Sequence, residues 1–140
     1  MAIKVFISHS SLDTWVARQI ATQVRALGAE AFLDEADVSS GDDFLERILN
    51  AEAECSELLV LLTPWGMRRP WVLFEISCFR HSRKRIVGVT HGLTTNEVVG
   101  DPYLGVLVDR RVLVDINRLP AYFQELGVRI KVDAEGVSDA

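Results

Sequence analysis

Residues 58–79, LLVLLTPWGMRRPWVLFEISCF, decide the fold. They open with five aliphatic residues, 58–62, which are too few to cross a membrane and are typical of a strand buried on both faces of a sheet. After a short turn, Pro70 suits the first position of a helix, and residues 71–79 carry apolar side chains on nearly every side. A buried strand followed by such a helix predicts the centre of a parallel sheet.

One carboxylate, Glu75, interrupts this apolar helix. It follows Trp71 by four residues, so both share a helix face just beyond the carboxyl end of the strand, where open α/β sheets bind ligands. A solvated glutamate is the ordinary interpretation, because most glutamates are exposed. The alternative is a carboxylate enclosed by Trp71, Phe74 and Phe79, which would suit a general base or the partner of a developing cation.

The composition is that of one globular domain, with 140 residues, 49% of them hydrophobic and 25% charged. We expect a cytoplasmic chain without membrane contact, because no long apolar segment occurs and MAIKVFISHS lacks a signal-peptide core. The net charge of −5 argues against direct nucleic-acid binding. Cys55 and Cys78 fall in predicted helices, and no CxxC pair suggests zinc or redox chemistry. We expect no metal and no cofactor.

Basic residues cluster after the apolar helix, at Arg80, Arg83, Lys84 and Arg85. Such charges complement the dipole at a helix C-terminus and need no ligand. They would also suit a phosphorylated small molecule or the acidic face of another subunit, and the sequence leaves these alternatives open.

The remaining chain alternates strands with helices. We predict strands over residues 3–7, 31–34, 58–62, 86–89 and 111–116. The first helix is predicted to begin at a capping box of Ser10 and Asp13 and to end at Gly28. Between residues 91 and 107 only short helical turns are expected, and the last helix, 119–126, is predicted to end at Gly127.

The second helix is predicted to follow a loop rich in acidic residues. Ser40 or Asp42 suits its N-terminal cap. Its apolar residues recur at helical spacing and are expected to face inward: Phe44, Leu45, Ile48 and Leu49.

This order of elements predicts an α/β, flavodoxin-like, five-stranded parallel sheet in the order 2-1-3-4-5, with helices on both faces. Strands one and three would then end side by side, at Ser8-His9 and Thr63-Pro64, with Glu75 bordering the same crevice. We assign residues 1–130 to the domain and 131–140 to a tail or linker.

Several chemistries are excluded by what this sheet edge lacks. A phosphorylatable receiver domain needs an aspartate at the end of strand three, where Thr63-Pro64 stands. Neither GxxxxGK[ST] nor GxGxxG occurs. Ser8, His9 and Asp34 do not make a hydrolase triad, since Ser8 and His9 are adjacent and no GxSxG elbow is present.

Three blocks together resemble a known family: KVFISHSSLD, LGAEAFLDEADVSSGDDFLERILNAE and SELLVLLTPWGMRRPWVLFEI. They are similar, in order and spacing, to a Toll and interleukin receptor (TIR) domain of the prokaryotic, NAD+-cleaving branch. That branch resembles this chain at W-V-x-x-E, where Trp71 and Glu75 stand. The resemblance implies that Glu75 is the catalytic acid and Trp71 an aromatic wall.

The resemblance also implies the substrate contacts and an assembly loop. NAD+ would be a substrate bound by Phe6, Ser8, His9, Asp34, Trp65, Arg69 and Trp71. The loop that gates the site and contacts neighbouring TIR domains head to tail would contain Glu35, Asp37, Val38, Ser39, Ser40 and Gly41. An oligomerising or ligand-sensing partner, and a role in bacterial antiphage defence or signalling, are implied in the same way. Two alternatives remain open: a non-enzymatic TIR adaptor, and a small-molecule-binding module without turnover.

Overall fold

A computed structural model of the chain describes residues 2–33 and 41–139, and the side chains of 41–44 and 136–139 are outside that description. Five parallel strands pair in the order β2-β1-β3-β4-β5. They are β1 (Lys4–Ser8), β2 (Glu30–Leu33), β3 (Glu57–Leu62), β4 (Arg85–Thr90) and β5 (Leu113–Asp115). The predicted fold class and strand order are therefore confirmed, and every predicted strand end lies within two residues of the observed one.

Helices connect successive strands and continue to the end of the described chain. They are α1 (Thr14–Ala26), α2 (Gly41–Glu54), α3 (Pro70–His81), α4 (Thr95–Val99), α5 (Leu104–Leu107) and α6 (Leu119–Asp139). Gly28 follows α1 with φ of 102°, as expected for the glycine that ends a helix. The short α4 and α5 confirm the prediction for residues 91–107.

Two apolar layers hold the sheet between the helices. Val5 and Ile7 of β1 pack with α1 and α6 on one face, whereas Phe6 packs with α3, α4 and α5 on the other. The alternation follows from the two-residue period of a strand. All six residues of β3 are buried, as predicted for the central strand.

α2 corrects part of the predicted core. Ile48 is buried, but Leu45 and Leu49 are each 46% exposed, so the prediction that they face inward was wrong. The buried stripe runs through Ile48, Ala51 and Cys55, which leaves Leu49 about 100° around the helix from Ile48. Cys55 lies one residue beyond α2, not within it. The side chain of Phe44 and the proposed caps at Ser40 and Asp42 lie outside the described residues.

α6 is longer than predicted, because it passes through Gly127 and ends at Asp139. A glycine inside a helix costs about 1 kcal/mol relative to alanine. Leu126 before it and Ile130 after it both pack in the core, and these contacts outweigh the local preference. The division of the chain into residues 1–130 and 131–140 stays a prediction. No helix in the described part of the chain is long and apolar enough to cross a membrane.

Candidate functional site

The carboxyl ends of β1 and β3 lie side by side. Ser8 pairs with Val60, and β3 continues two residues further, to Leu62. The chain leaves β1 toward β2 on one side and returns to β3 on the other, so the connections diverge here. In open α/β sheets such a switch point forms a crevice. The predicted position of the switch point, between the ends of β1 and β3, is confirmed.

Glu75 is buried within the sheet-facing side of α3. Pro70 occupies the first turn of α3, where its missing N–H costs nothing. The buried side chains of this helix are Val72, Glu75, Ile76 and Phe79, and Glu75 is only 1% exposed. The solvated interpretation of Glu75 is therefore wrong. Phe74 is 37% exposed and faces outward, so it is not part of the enclosure.

Aromatic contacts place Glu75 relative to β1. The Phe6 ring lies 5.7 Å from that of Phe79, four residues after Glu75 on α3. α3 runs opposite to the strands, because it returns from the carboxyl end of β3 to the start of parallel β4. Moving from Phe79 back to Glu75 covers about 6 Å along the helix, and moving from Phe6 to Ser8 covers about 6.6 Å along the strand. Both steps lead toward the carboxyl edge, so Ser8 stands on the same sheet face as Glu75 and at a similar height.

Two buried polar side chains, those of Ser8 and His9, stand at the end of β1. Ser8 and His9 are 0% and 4% exposed. Within the part of the chain that the structure describes, neither Ser8 Oγ nor His9 Nε2 has a hydrogen-bond partner. His9 Nδ1 lies 2.8 Å from the carbonyl oxygen of Ser10. Buried polar atoms are rarely left without a hydrogen-bond partner. Two such atoms close together are therefore typical of a site that receives a polar ligand or water.

The loop after β3 and the start of α3 carry two tryptophans, Trp65 and Trp71. Trp65 is 56% exposed, and Trp71 is half-buried. The Arg69 guanidinium carbon lies 5.5 Å from the centre of the Trp71 ring, a cation–π arrangement. This contact fixes the Trp71 indole at the entrance of α3, one turn before Glu75.

The predicted capping box of Ser10 and Asp13 at the start of α1 is wrong. The Asp13 carboxylate is 7% exposed and accepts hydrogen bonds from Ser10 Oγ, at 2.8 Å, and from Thr63 Oγ1, at 2.6 Å. Ser10 makes no side-chain cap. The spacing of Ser10 and Asp13 alone favours a capping box, and the sequence has no separate signal for the contact with Thr63, fifty residues away.

The thiol beside the carboxylate is held in its neutral form. Burial, followed by the negative charges of Glu52 and Glu75, raises the pKa of Cys78 on α3. A neutral thiol is a poor nucleophile, so the pKa shift of Cys78 gives no support for a nucleophilic cysteine beside Glu75.

Asp34 and the assembly-loop residues Glu35, Asp37, Val38, Ser39 and Ser40 lie outside the described residues. Gly41 is the first residue of α2. Their predicted roles stay predictions.

A concave surface that Glu75 does not line, the basic cleft, lies between β4, β5 and α6. Its volume is about 810 Å³, and its charged lining consists of Arg80, Lys84, Arg85, Arg111, Arg118, Asp115 and Glu125. Arg85, Ile86 and Val87 border the cleft where β4 extends beyond its pairing with β5. The sequence indicated the cluster at residues 80–85 but not the contribution of Arg111 and Arg118.

Known proteins resemble this chain in sequence and in fold. The model of the TIR domain family matches residues 5–127. A probable 2′ cyclic ADP-D-ribose synthase from Brachypodium distachyon is 29% identical over 98 residues, covering 69% of this chain and 44% of the relative. A 2′ cyclic ADP-D-ribose synthase from Bacteroides thetaiotaomicron is 26% identical over 99 residues, covering 67% of this chain and 34% of the relative. The match thus spans less than half the length of either relative.

The TIR domain of a Toll-related receptor from Hydra magnipapillata has the same fold, with a TM-score of 0.66 over 91% of this chain and 97% of its own. The two sequences are 17% identical, so this comparison shows a shared fold and nothing more.

Proposed function

The chain belongs to the TIR domain family, and from this premise we propose that it cleaves the nicotinamide–ribose bond of NAD+. The products are nicotinamide and ADP-ribose, either linear or cyclised. The observation that carries the proposal is Glu75, a carboxylate 1% exposed, at the height of Ser8 on the same sheet face. The names of the two synthases, from a plant and a bacterium, support the same class of chemistry.

The chemistry needs one carboxylate. Nicotinamide in NAD+ is a cationic leaving group and departs as a neutral molecule, so no general acid is required, unlike ordinary glycoside hydrolysis with two carboxylates. Bond breaking leaves positive charge on the ribose. Glu75, held among apolar residues where charges interact strongly, stabilises that charge and accepts hydrogen bonds from the ribose hydroxyls.

The other crevice residues bind and enclose the substrate. Trp71 forms an aromatic wall one turn from Glu75, and Arg69, stacked on it, supplies a positive charge for the pyrophosphate. Ser8 and His9 offer polar atoms for the ribose or the carboxamide. Phe6 closes the floor, and Trp65 and Asp34 complete the proposed contacts. NAD+ is a substrate here, and no metal or resident cofactor takes part.

We propose that assembly controls activity. The loop over residues 35–41 contributes Glu35 and Asp37, and the basic cleft carries five cationic side chains against two carboxylates. A loop of one copy lying against the cleft of the next joins surfaces of opposite charge, and such a heterologous contact propagates head to tail. A partner that clusters the chain would raise its local concentration. Antiphage defence or signalling in the cytoplasm is the setting we propose.

The alternative is an adaptor that makes the same contacts without turnover. Incubation of clustered protein with NAD+, followed by mass spectrometry of the products, separates the two. Nicotinamide with a matching ADP-ribose species supports the enzyme, and their masses distinguish hydrolysis from cyclisation. Intact NAD+ after hours excludes the enzyme. Heat of NAD+ binding without product would indicate a binding module.

A further inference from the structure

A buried hydrogen-bond chain, which we call the Asp13 latch, joins the loops after β1 and β3. It consists of Ser10, Asp13, Thr63 and Gly66. Thr63 Oγ1 donates to Asp13 Oδ2 at 2.6 Å and accepts from the Gly66 backbone N–H at 2.9 Å. Ser10 Oγ donates to the same Asp13 oxygen at 2.8 Å. One carboxylate oxygen therefore fixes the separation of two loops that are fifty residues apart in sequence.

The latch leaves little room for movement. Asp13 is 7% exposed, and Thr63 is 1% exposed. A Cβ at Gly66 would lie 3.0 Å from the Leu61 carbonyl oxygen and 3.3 Å from Thr63 Oγ1. Contacts this close show that the loop carrying Trp65 is pressed against the end of β3.

Ser10 extends the latch to His9. The Ser10 carbonyl oxygen accepts from the Asp13 backbone N–H at 2.9 Å and also lies 2.8 Å from His9 Nδ1. A carbonyl oxygen can only accept, so Nδ1 carries the proton, and in the neutral ring Nε2 is then an acceptor. That atom is buried and has no protein partner within the described residues.

We propose that Asp13 is a positioning residue for NAD+ cleavage. Through Ser10 it holds His9 in the tautomer whose Nε2 accepts a hydrogen bond from a hydroxyl or amide group of the substrate. Through Thr63 it sets the distance between His9 and the loop that carries Trp65. The substrate in this statement rests on the proposed function, whereas the tautomer and the loop separation do not.

The kinetic test uses variants that remove one hydroxyl at a time. Thr63→Val keeps the side-chain shape and breaks the latch, and Thr63→Ser retains the donor. Thr14→Val is the matched control, because the Thr14 hydroxyl donates to the Ser11 carbonyl, outside the latch. We expect kcat/KM for NAD+ to fall about tenfold or more in Thr63→Val, since small misplacements of binding groups are costly. Thr63→Ser should recover most of the loss, and Thr14→Val should match the wild type.

A second test needs no turnover. Nitrogen-15 NMR of the three histidines, with His9 assigned through His9→Gln, reports which ring nitrogen carries the proton. We expect a protonated Nδ1 in the wild type and in Thr63→Val, which keeps the bond between Ser10 and Asp13, and a mixture of tautomers in the two variants Ser10→Ala and Asp13→Ala. A wild-type tautomer in both variants would overturn the proposal, as would wild-type kinetics in Thr63→Val. A wild type that releases no nicotinamide would refute the proposed function, and the histidine spectra would still decide the latch.

Discussion

Arg129 on α6 holds Glu57 on β3 through two hydrogen bonds, with Nη1 2.6 Å from Oε1 and Nη2 3.2 Å from Oε2. The Tyr122 hydroxyl donates to Oε2 at 2.9 Å. Glu57 is 2% exposed, so its charge depends on these donors. The hydrogen bond to Glu57 raises the pKa of Arg129, and burial followed by Glu57 raises the pKa of Tyr122. Both donors therefore keep their protons, and α6 is tied to the central strand.

Arg129→Met is expected to destabilise the fold by about 3 kcal/mol, because it removes the positive charge and both Arg129 hydrogen bonds from the buried Glu57 carboxylate. Urea unfolding measures the change. Arg85→Met is the matched control, since the Arg85–Glu125 pair is about half exposed and is worth at most about 1 kcal/mol. Equal losses in the two variants would contradict a special role for the buried pair.

The Cys55 thiol makes the free energy of unfolding depend on pH in the alkaline range. Burial is the main cause that raises its pKa from 9.0 to about 11. The folded protein holds this proton more tightly than the unfolded chain, so the contribution to the unfolding free energy is complete below about pH 9 and is lost toward pH 11. We expect a decline of about 2 kcal/mol over this interval from Cys55 alone.

The measurement compares urea unfolding of the wild type and Cys55→Ala between pH 8 and 11. Other groups titrate in both proteins, so only the difference between the two slopes reports Cys55. Parallel slopes would show that the thiol is not held protonated.

The fold was predictable because its signals are local. Five short apolar runs are separated by segments with helical periodicity, and this pattern was enough to predict the order of the strands in the sheet. The failures have a common cause, since contacts distant in sequence overrode local preference. Gly127 lies inside α6 because Leu126 and Ile130 pack on either side of it. The Asp13 carboxylate accepts a hydrogen bond from Thr63 in place of the expected cap. No spacing in the sequence predicts that contact.

The candidate site was predictable in part for the same reason. The position of Glu75 on its helix follows from the 3.6-residue period, but its burial depends on where α3 lies against β1. Two features required the assembled sheet. One is the set of Ser8 and His9 atoms that have no hydrogen-bond partner among the described residues. The other is the contribution of Arg111 and Arg118 to the basic cleft.

Arg118→Glu is expected to prevent assembly without unfolding the domain. It reverses one charge in the basic cleft, and the new carboxylate stands at the N-terminus of α6, where the helix dipole favours negative charge. Nicotinamide release per molecule should rise with protein concentration in the wild type and stay low in Arg118→Glu. Replacement of Asp37 and Val38 in the loop should have the same effect.

Arg83→Glu is the control for this change, because Arg83 is exposed but does not line the cleft. Activity strictly proportional to protein concentration, and indifferent to Arg118, Asp37 and Val38, would exclude an assembly requirement.

The most direct test of NAD+ cleavage is the rate of nicotinamide release by clustered wild type and Glu75→Gln. Glutamine keeps the shape of the side chain and removes the charge, so the fold should survive, which thermal unfolding checks. Glu54→Gln, an exposed carboxylate on α2, is the matched control. We predict a loss of about a hundredfold or more in Glu75→Gln and none in Glu54→Gln. Wild-type nicotinamide release by folded Glu75→Gln would contradict the assignment of Glu75 as the catalytic carboxylate.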